Sequence, residues 1–189
     1  DEARAGRWVS GTFGWWWRYE DGNYPTSTQL RIDGAIYRFN ARGYMVTGWV
    51  YEDGQWYYYG ASGGQSAGWV RVHGTWYYLD PLTGAMASGW TKVQGTWYCL
   101  SSSGAMRTGW VRDGSAWYYL TSSGALATGW QRVGSSWYYL SPDGGAMATG
   151  WLRDGDAWYY LTSSGAMATG SRWIDGTRYA FDGEGRLMP

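Results

Sequence analysis

The sequence predicts an all-β protein, a solenoid of stacked two-stranded β-hairpins with about 20 residues per repeat. A Gly-Trp pair recurs at steps of 20 or 21 residues, and a Trp-Tyr-Tyr block or a near copy begins seven residues after each Trp. A Gly-containing pair suited to a two-residue hairpin turn lies between the two aromatic blocks. Self-similarity at a fixed period of this length is the sequence signature of a repeat architecture. The recurring Trp are Trp49, Trp69, Trp90, Trp110, Trp130 and Trp151.

Residues 1–47 are predicted to be an N-terminal cap region of atypical repeats. In the stretch STQLRIDGAIYRF the two Trp slots hold Gln29 and Ile36, and the second Tyr slot holds Arg38. The extreme N-terminus keeps an aromatic variant, with Trp8 followed by three Trp at 15–17. Terminal repeats of a solenoid are expected to depart from the pattern because one side of them faces water.

Residues 48–169 are predicted to form a regular array of six hairpin repeats. In WVRVHGTWYYL, at 69–79, two β-rich runs flank the pair His73-Gly74. The equivalent pairs are Asp53-Gly54, Gln94-Gly95, Gly114-Ser115, Gly134-Ser135 and Gly155-Asp156. A turn at each pair predicts the strand register, because two-residue loops join directly opposed strands. The register pairs Val72 with Thr75, Arg71 with Trp76, Val70 with Tyr77 and Trp69 with Tyr78.

This register divides each hairpin into two faces, since side chains alternate along a strand. One face carries Trp69, Arg71, Trp76 and Tyr78, and the other carries Val70, Val72, Tyr77 and Leu79. The Val-Val-Tyr-Leu face is predicted to be core. The aromatic face also needs cover, because several exposed aromatic side chains per repeat would aggregate. Stacking the hairpins along an axis would cover both faces.

The stretches that link the hairpins, such as TSSGALATG, contain Ser and Gly for turns and then a Leu or Met. That Leu or Met is predicted to fill the gap between successive hairpins. Both one-residue insertions of the array occur in these links, in DPLTGAM and SPDGGAM, as expected of loops. Residues 170–189 are predicted to be a degenerate C-terminal capping repeat, because Ser171, Arg178 and Ala180 occupy its aromatic slots.

Composition excludes several classes of function. The 189 residues include 17 Trp, 18 Tyr and 31 Gly and carry a formal net charge of zero, which argues against binding to the phosphates of nucleic acids. With one Cys, Cys99, and one His, His73, no disulfide can form within the chain, and neither a metal nor a cofactor is expected. No apolar run is long enough to predict a membrane span.

The chain is predicted to be non-catalytic. No nucleophile–base pair or Gly-rich phosphate loop occurs in the sequence. The acidic pairs Glu20-Asp21 and Glu52-Asp53 both precede Gly, which turn chemistry explains. Cys99 takes the place of a Tyr and is interpreted as a packing variant. The chain begins with Asp rather than Met, which suggests a piece of a longer protein whose signal peptide lies elsewhere.

The aromatic face suits two kinds of ligand. A pocket of two or three ring faces without a carboxylate attracts a quaternary ammonium through the ring quadrupoles, by roughly 0.5–2 kcal/mol per contact. The same flat rings also stack on sugars, and composition leaves both ligands open. A third interpretation makes the aromatic residues pure packing in a structural spacer or adhesin stalk.

The stretch TGWVRDGSAWYYLTSSGALATGW, at 108–130, resembles the choline-binding, or cell-wall-binding, repeats of Gram-positive surface proteins. The resemblance covers residues 48–169, and GWWWRYEDGNYPTS resembles the leading unit of similar arrays. It implies a secreted, extracellular module that anchors a surface protein by binding choline or phosphocholine groups of teichoic acids at the cell wall. It also implies a ligand-dependent homodimer and a separate catalytic domain, such as a wall hydrolase, in the intact protein. Related glucan-binding repeats share the hairpin, so a glycan ligand is the alternative.

The same resemblance implies ligand sites between adjacent repeats. One hairpin supplies both of its Trp, the next supplies the second Tyr of its block, and a linking Met or Leu completes the wall. The first site is Trp49, Trp56 and Tyr78, with Gln65 where the others have an apolar residue. The other three are Trp90, Trp97, Tyr119 and Met106; Trp110, Trp117, Tyr139 and Leu126; and Trp130, Trp137, Tyr160 and Met147.

Two further Trp pairs are predicted to form weak or empty sites, because another residue replaces the second Tyr that would complete them. These are Trp69 and Trp76 with Met86, where the Tyr slot holds Cys99, and Trp151 and Trp158, where it holds Ala180.

Overall fold

The structure is a computed structural model that describes residues 2–189. These residues form eighteen β-strands and no helix, and the strands pair into nine antiparallel two-stranded hairpins. The predicted fold class is therefore confirmed. The strands are β1 (Gly6–Gly11), β2 (Gly14–Tyr19), β3 (Thr28–Ile32), β4 (Ala35–Phe39), β5 (Gly48–Glu52), β6 (Gln55–Tyr59), β7 (Gly68–Val72), β8 (Thr75–Leu79), β9 (Gly89–Val93), β10 (Thr96–Leu100), β11 (Gly109–Asp113), β12 (Ala116–Leu120), β13 (Gly129–Val133), β14 (Ser136–Leu140), β15 (Gly150–Asp154), β16 (Ala157–Leu161), β17 (Gly170–Ile174) and β18 (Thr177–Phe181).

The chain forms two compact units, and each is built from consecutive hairpins. The first unit runs to Gly89 and includes Leu100–Met106, so it holds β1 to β8. The second comprises Trp90–Cys99 and Arg107–Pro189, so it holds β11 to β18 and most of β9 and β10. Hairpins also occur before residue 48 and after residue 169, and the predicted boundaries of the caps and the array stay predictions.

The predicted turns and register are confirmed. In β7–β8, Val72 is opposite Thr75 and Trp69 is opposite Tyr78, with the turn at 73–74. The two kinds of Gly pair make two kinds of turn. Where Gly is second, as in His73-Gly74, both residues have positive φ (48° and 88°), as in a type I′ turn. In the other kind, Gly comes first. Gly114 has a φ of 58°, and Ser115 after it is not among the residues with positive φ, as in a type II′ turn.

The linking segments join each hairpin to the one before it. The backbone N–H of Met86, in the segment after β8, donates to the carbonyl of Trp56 in the preceding hairpin (2.8 Å). The next N–H, of Ala87, donates to the carbonyl of Tyr78 in its own hairpin (2.8 Å). Because every described sheet has only two strands, these backbone bonds from the links, rather than strand pairing, connect successive hairpins within each unit.

In each unit, the core contains side chains at the ends of the second strands. Leu79 is fully buried and Val72 is nearly so, which confirms that part of the predicted core face. Val70 and Tyr77, predicted for the same core, are only half-buried, because Tyr77 faces a solvent-open cavity. The fully buried side chains at these positions are Phe39, Tyr59, Leu79, Leu120, Leu140, Leu161 and Phe181.

The second hairpin, β3–β4, carries polar side chains in slots that hold aromatic rings elsewhere. Gln29 donates from its amide nitrogen to the hydroxyl of Tyr59 in the next hairpin. Arg38 Nη2 lies 2.6 Å from Glu52 Oε1, and both side chains are mostly buried. This hairpin therefore offers polar contacts to its neighbour where the regular repeats offer aromatic ones.

Candidate functional site

Aromatic rings from adjacent hairpins enclose a three-sided cavity around Trp49. The ring of Trp49 lies 6.4 Å from that of Trp56 in its own hairpin, at 88° between planes. It lies 4.9 Å from Tyr77 in the next hairpin, at 67°. Met86 and Ser103 complete a cavity of about 280 Å³. Trp56 is 42% exposed, so the cavity opens to solvent on that side. Trp49, Trp56, Tyr77 and Met86 are called the Trp49 box below.

The second unit contains a matching cavity around Trp90. Trp90, Trp97, Tyr118 and Leu126, called the Trp90 box, line a volume of about 310 Å³ with Asp113 and Gly144. The Trp90 and Tyr118 ring centres are 5.1 Å apart at 66°. Asp113 was not anticipated, because the sequence predicts a pocket without a carboxylate.

Three more Trp of the second unit stand in the same relation to the next hairpin. Their ring centres lie 4.8–4.9 Å from the first Tyr of the following block, at 59–75°. A linking residue also donates its N–H to the second Trp of each hairpin, as in the Trp49 box. The Trp110 box is Trp110, Trp117, Tyr138 and Met147; the Trp130 box is Trp130, Trp137, Tyr159 and Met167; the Trp151 box is Trp151, Trp158, Tyr179 and Leu187.

The structure brings together the predicted Trp pairs but places a different Tyr beside them. Each second Tyr makes an edge contact with the first Trp of its own hairpin, as Tyr78 does with Trp69, with ring centres 5.1 Å apart at 61°. The others are Tyr119 with Trp110, Tyr139 with Trp130 and Tyr160 with Trp151. Successive repeats pack head to tail, so the two surfaces in contact are different faces of the hairpin. The aromatic face of one hairpin therefore meets the opposite face of the next. The first Tyr, Tyr77 in the Trp49 box, lies on that opposite face.

The linking residues also belong to boxes one repeat earlier than predicted. Leu126, expected with Trp110, lines the Trp90 box, and Met86, expected with Trp69, lines the Trp49 box. Met106, expected with Trp90, donates its backbone N–H to the carbonyl of Trp76 (2.8 Å). Met147, expected with Trp130, donates its backbone N–H to the carbonyl of Trp117 (2.7 Å). The reason is that each link reaches back to the preceding hairpin. The Trp49 box therefore has Met86 rather than Gln65 as its apolar side.

Both Trp pairs expected to form weak or empty sites keep steeply inclined rings, and the weakness of these two sites stays a prediction. Ala180 leaves the Trp151 box intact, because the wall is Tyr179, at 4.8 Å from Trp151. Trp69 and Trp76 keep the steep arrangement of the other pairs, with ring centres 6.5 Å apart at 90°. Cys99 is buried with Val111 and Leu120, as a packing variant should be, and burial raises the pKa of its thiol.

The N-terminal hairpin repeats the same contacts, which the sequence prediction missed. The ring of Trp8 lies 4.8 Å from Tyr37 of the next hairpin, at 62°. The N–H of Met45 donates to the carbonyl of Trp15 (2.7 Å), as Met86 does to Trp56. The signal was present, because Trp8 and Trp15 are seven residues apart, the offset of every regular Trp pair.

Charged groups occur at the edges of two boxes. The indole N–H of Trp90 donates to Asp113 Oδ2 (3.0 Å), and that of Trp130 donates to Asp154 Oδ2 (2.8 Å). Lys92 Nζ lies 5.8 Å from the ring centre of Trp97. Within residues 2–189, no group of three or more His, Cys, Asp or Glu could hold a metal ion. The same part of the chain has no helix able to cross a membrane.

The steep angles between the rings determine what a box can bind. Flat sugar rings stack best on a single aromatic platform, whereas rings that meet at 67–88°, as around Trp49, form a corner. A compact cation in such a corner faces several ring quadrupoles at once. The apolar side chain of Met86 suits methyl groups rather than hydroxyls.

Comparison with known proteins places these repeats in a family. The Choline-binding repeat family matches the chain in six overlapping stretches: 26–67, 53–89, 87–128, 107–150, 127–169 and 148–188. No curated protein sequence matches the chain significantly.

Several solved structures are similar. Choline binding protein F from Streptococcus pneumoniae, determined with a peptidoglycan analogue, aligns with a TM-score of 0.80 and 36% identity over 93% of this chain and 61% of that one. CbpJ from Streptococcus pneumoniae aligns with a TM-score of 0.78 and 28% identity over 97% and 94% of the two chains. The modular autolysin LytC of the same species aligns at 0.71 and 34% identity over 97% and 42%.

This chain thus spans about three fifths of the length of choline binding protein F, with 61% of that chain covered. The repeat matches run without a gap from residue 26 to residue 188, and the hairpins they cover contain the five boxes from Trp49 to Trp151. On this ground the chain belongs to the choline-binding repeat family.

Proposed function

We propose that this chain is a non-catalytic cell-wall-binding module whose boxes hold choline or phosphocholine groups of teichoic acids. The observation that carries the proposal is the corner of steeply inclined rings in the Trp49 box, with Met86 at its side. A quaternary ammonium has no N–H donor, so polar acceptors offer it little, and ring quadrupoles are its main source of attraction. The cavity of about 280 Å³ is open to solvent, as binding of a group pendant on a polymer requires.

The relatives support the same ligand chemistry. Choline binding protein F has also been solved in complex with ipratropium, introduced by soaking. Ipratropium carries a quaternary ammonium, like choline. LytC is described as a modular autolysin, and this chain covers only 42% of it. We therefore propose that this chain anchors an extracellular protein at the cell wall, with any catalysis in a separate domain such as a wall hydrolase.

Several boxes on one chain compensate for the weakness of each. A small cation held by a few ring contacts is expected to bind with a dissociation constant near 1 mM, about −4 kcal/mol. When pendant groups of one polymer occupy several boxes, linked binding strengthens attachment by about 10²–10⁴-fold. A homodimer that forms on ligand binding would add more boxes, and light scattering with and without choline would test for it.

We expect the Trp56→Ala variant to lose choline binding at the Trp49 box while the other boxes still bind. The substitution removes one of the three ring faces from the solvent side of the cavity. Chemical shifts of the indole N–H groups of ¹⁵N-Trp protein, followed during a choline titration, would report each box separately. Trp173→Ala is the matched control, because Trp173 is 71% exposed and outside every box. If choline shifts the Trp49 indole N–H signal of Trp56→Ala as much as that of the wild type, the assignment is contradicted.

Comparison ligands test the chemistry of the site. Tetramethylammonium is expected to reproduce the choline response and to raise the melting temperature, since a ligand that binds only the folded state stabilises it. Ethanolamine is expected to bind less well, and dextran not at all. Binding of dextran without a choline response would favour the glycan alternative. A lack of response to all of them would favour a structural spacer.

A further inference from the structure

The boxes differ in formal charge at one position, the last residue of the first strand in the following hairpin. That residue is Asp113 at the end of β11, behind the Trp90 box, and Asp154 at the end of β15, behind the Trp130 box. At the Trp49, Trp110 and Trp151 boxes the same position holds Val72, Val133 and Ile174. Two boxes therefore have a carboxylate where three have an aliphatic side chain.

The carboxylates are directed at the boxes by hydrogen bonds. Asp113 Oδ2 accepts the indole N–H of Trp90 at 3.0 Å, and Asp113 lines the cavity together with Trp97, Tyr118 and Leu126. Asp154 accepts the indole N–H of Trp130 at 2.8 Å. An indole N–H is neutral, so it orients the carboxylate without cancelling its charge.

No basic side chain neutralises either carboxylate within the described residues. The ion pairs found there join Arg4 with Asp21, Arg31 with Glu2, Arg38 with Glu52, and Arg186 with Glu184. At the Trp90 box, Lys92 is placed over the ring of Trp97, with Nζ 5.8 Å from its centre. The negative charge of Asp113 is therefore available to a ligand in the cavity.

We infer that Asp113 and Asp154 determine specificity, and make the Trp90 and Trp130 boxes recognise the positive charge of a ligand. This inference rests on the proposed function, since it concerns the same boxes and a choline-like cation. Ring quadrupoles attract a cation weakly and also accept an apolar group of the same shape. A fixed carboxylate attracts only the cation. The three aliphatic boxes then discriminate less between a charged and a neutral ligand of equal shape.

The test compares choline with 3,3-dimethylbutan-1-ol, in which carbon replaces the quaternary nitrogen. Indole N–H shifts give a dissociation constant for each ligand at each box. In the wild type, the dissociation constant of the alcohol divided by that of choline is expected to be larger at the Trp90 and Trp130 boxes than at the Trp110 box. In Asp113→Asn, choline binding at the Trp90 box is expected to weaken about 3–10-fold, while the neutral alcohol binds as before. The Asn side-chain oxygen can still accept the indole N–H, so the ring stays oriented.

The reciprocal variant Val133→Asp should raise the choline preference of the Trp110 box by a similar factor. Equal loss of both ligands in Asp113→Asn would overturn the inference and give Asp113 a purely structural role. Equal ratios at all boxes of the wild type would also overturn it, while the proposed function would stand. If no box responds to choline, the proposed function fails and the inference falls with it. Unchanged melting temperatures of the ligand-free variants would establish that folding is not the cause.

Discussion

Single aromatic residues have two opposite environments in this protein, and Tyr59 represents the buried one. Its ring is fully buried, and its hydroxyl accepts a hydrogen bond from Gln29. Burial raises the pKa of this phenol above its usual value, because the phenolate would lose its hydration. Trp56, three residues earlier, is 42% exposed and forms a wall of the cavity around Trp49. The alternation of side chains along β6 separates the two roles.

The raised pKa of Tyr59 predicts a loss of stability at alkaline pH. The folded state keeps this phenol protonated at pH values where the unfolded chain, with an ordinary Tyr pKa of about 10, releases the proton. Its contribution is therefore fully present below about pH 10 and declines as pH rises through the raised folded pKa. In Tyr59→Phe the free energy of unfolding, measured with urea between pH 8 and 11, should fall less steeply than in the wild type. If the free energy of unfolding falls equally steeply with pH in the two proteins, Tyr59 is not the cause of the alkaline decline.

The linking segments are the elements that fit the boxes together, and Gly104 is a critical position in one of them. Its φ is 81°, a conformation that costs a residue with a Cβ about 1–2 kcal/mol. A Cβ at this position would also lie 2.3 Å from the sulfur of Met86. Met86 is the apolar side of the Trp49 box. The same Gly thus permits the turn of one link and leaves space for the Met of the link before it.

We expect Gly104→Ala to lower the free energy of unfolding and to weaken choline binding at the Trp49 box. Strain at positive φ and displacement of Met86 should together cost roughly 2–4 kcal/mol. Gly54→Ala is the matched control, because Gly54 has φ 79° and a Cβ there would meet no atom within 4 Å. In Gly54→Ala the free energy of unfolding should fall only by the strain at positive φ, and choline binding should not change. Urea unfolding and Trp49 indole shifts would separate the two effects, and equal behaviour of both variants would contradict the role of Met86.

The hairpins themselves could be predicted because their signals are local. The Gly pairs determine the turns, the turns determine the register, and Val72 is opposite Thr75 as the sequence predicts. The boxes could be predicted only in part, because they form between elements. The Trp pairs lie on one hairpin and were identified, whereas the choice of Tyr77 over Tyr78 depends on which face of the next hairpin meets them.

The carboxylate of Asp113 was missed for a related reason. Its position in β11 is ordinary for a residue next to a turn, and nothing in its own hairpin marks it as part of the Trp90 cavity. Its role emerges only from the contact with Trp90, which is 23 residues earlier in the chain. If the aromatic face of each repeat is assumed to contact the opposite face of the next repeat, the period of the sequence identifies the residue that faces each Trp. That procedure would have found Asp113.

For the whole molecule, the number of boxes should matter more than the affinity of any one. Removing the second Trp of one, two and then three boxes, at 56, 117 and 158, leaves the remaining boxes with their own walls. Retention on a choline-coated surface is expected to fall about 3–10-fold with each box lost, since linked binding multiplies. The dissociation constant for free choline at each remaining box should not change. Retention that falls only in proportion to the number of boxes would contradict attachment through several boxes at once.

The Trp49 box takes its walls from three successive repeats: Trp49 and Trp56 from one, Tyr77 and Met86 from the next, and Ser103 from the one after. The gene that encodes such an array can lengthen or shorten by unequal crossing-over between copies. Whenever the exchange preserves the period, each newly adjacent repeat receives compatible neighbours on both sides. A duplication then adds a complete cavity wherever the crossover occurs, so the number of cavities can change by recombination without new point mutations.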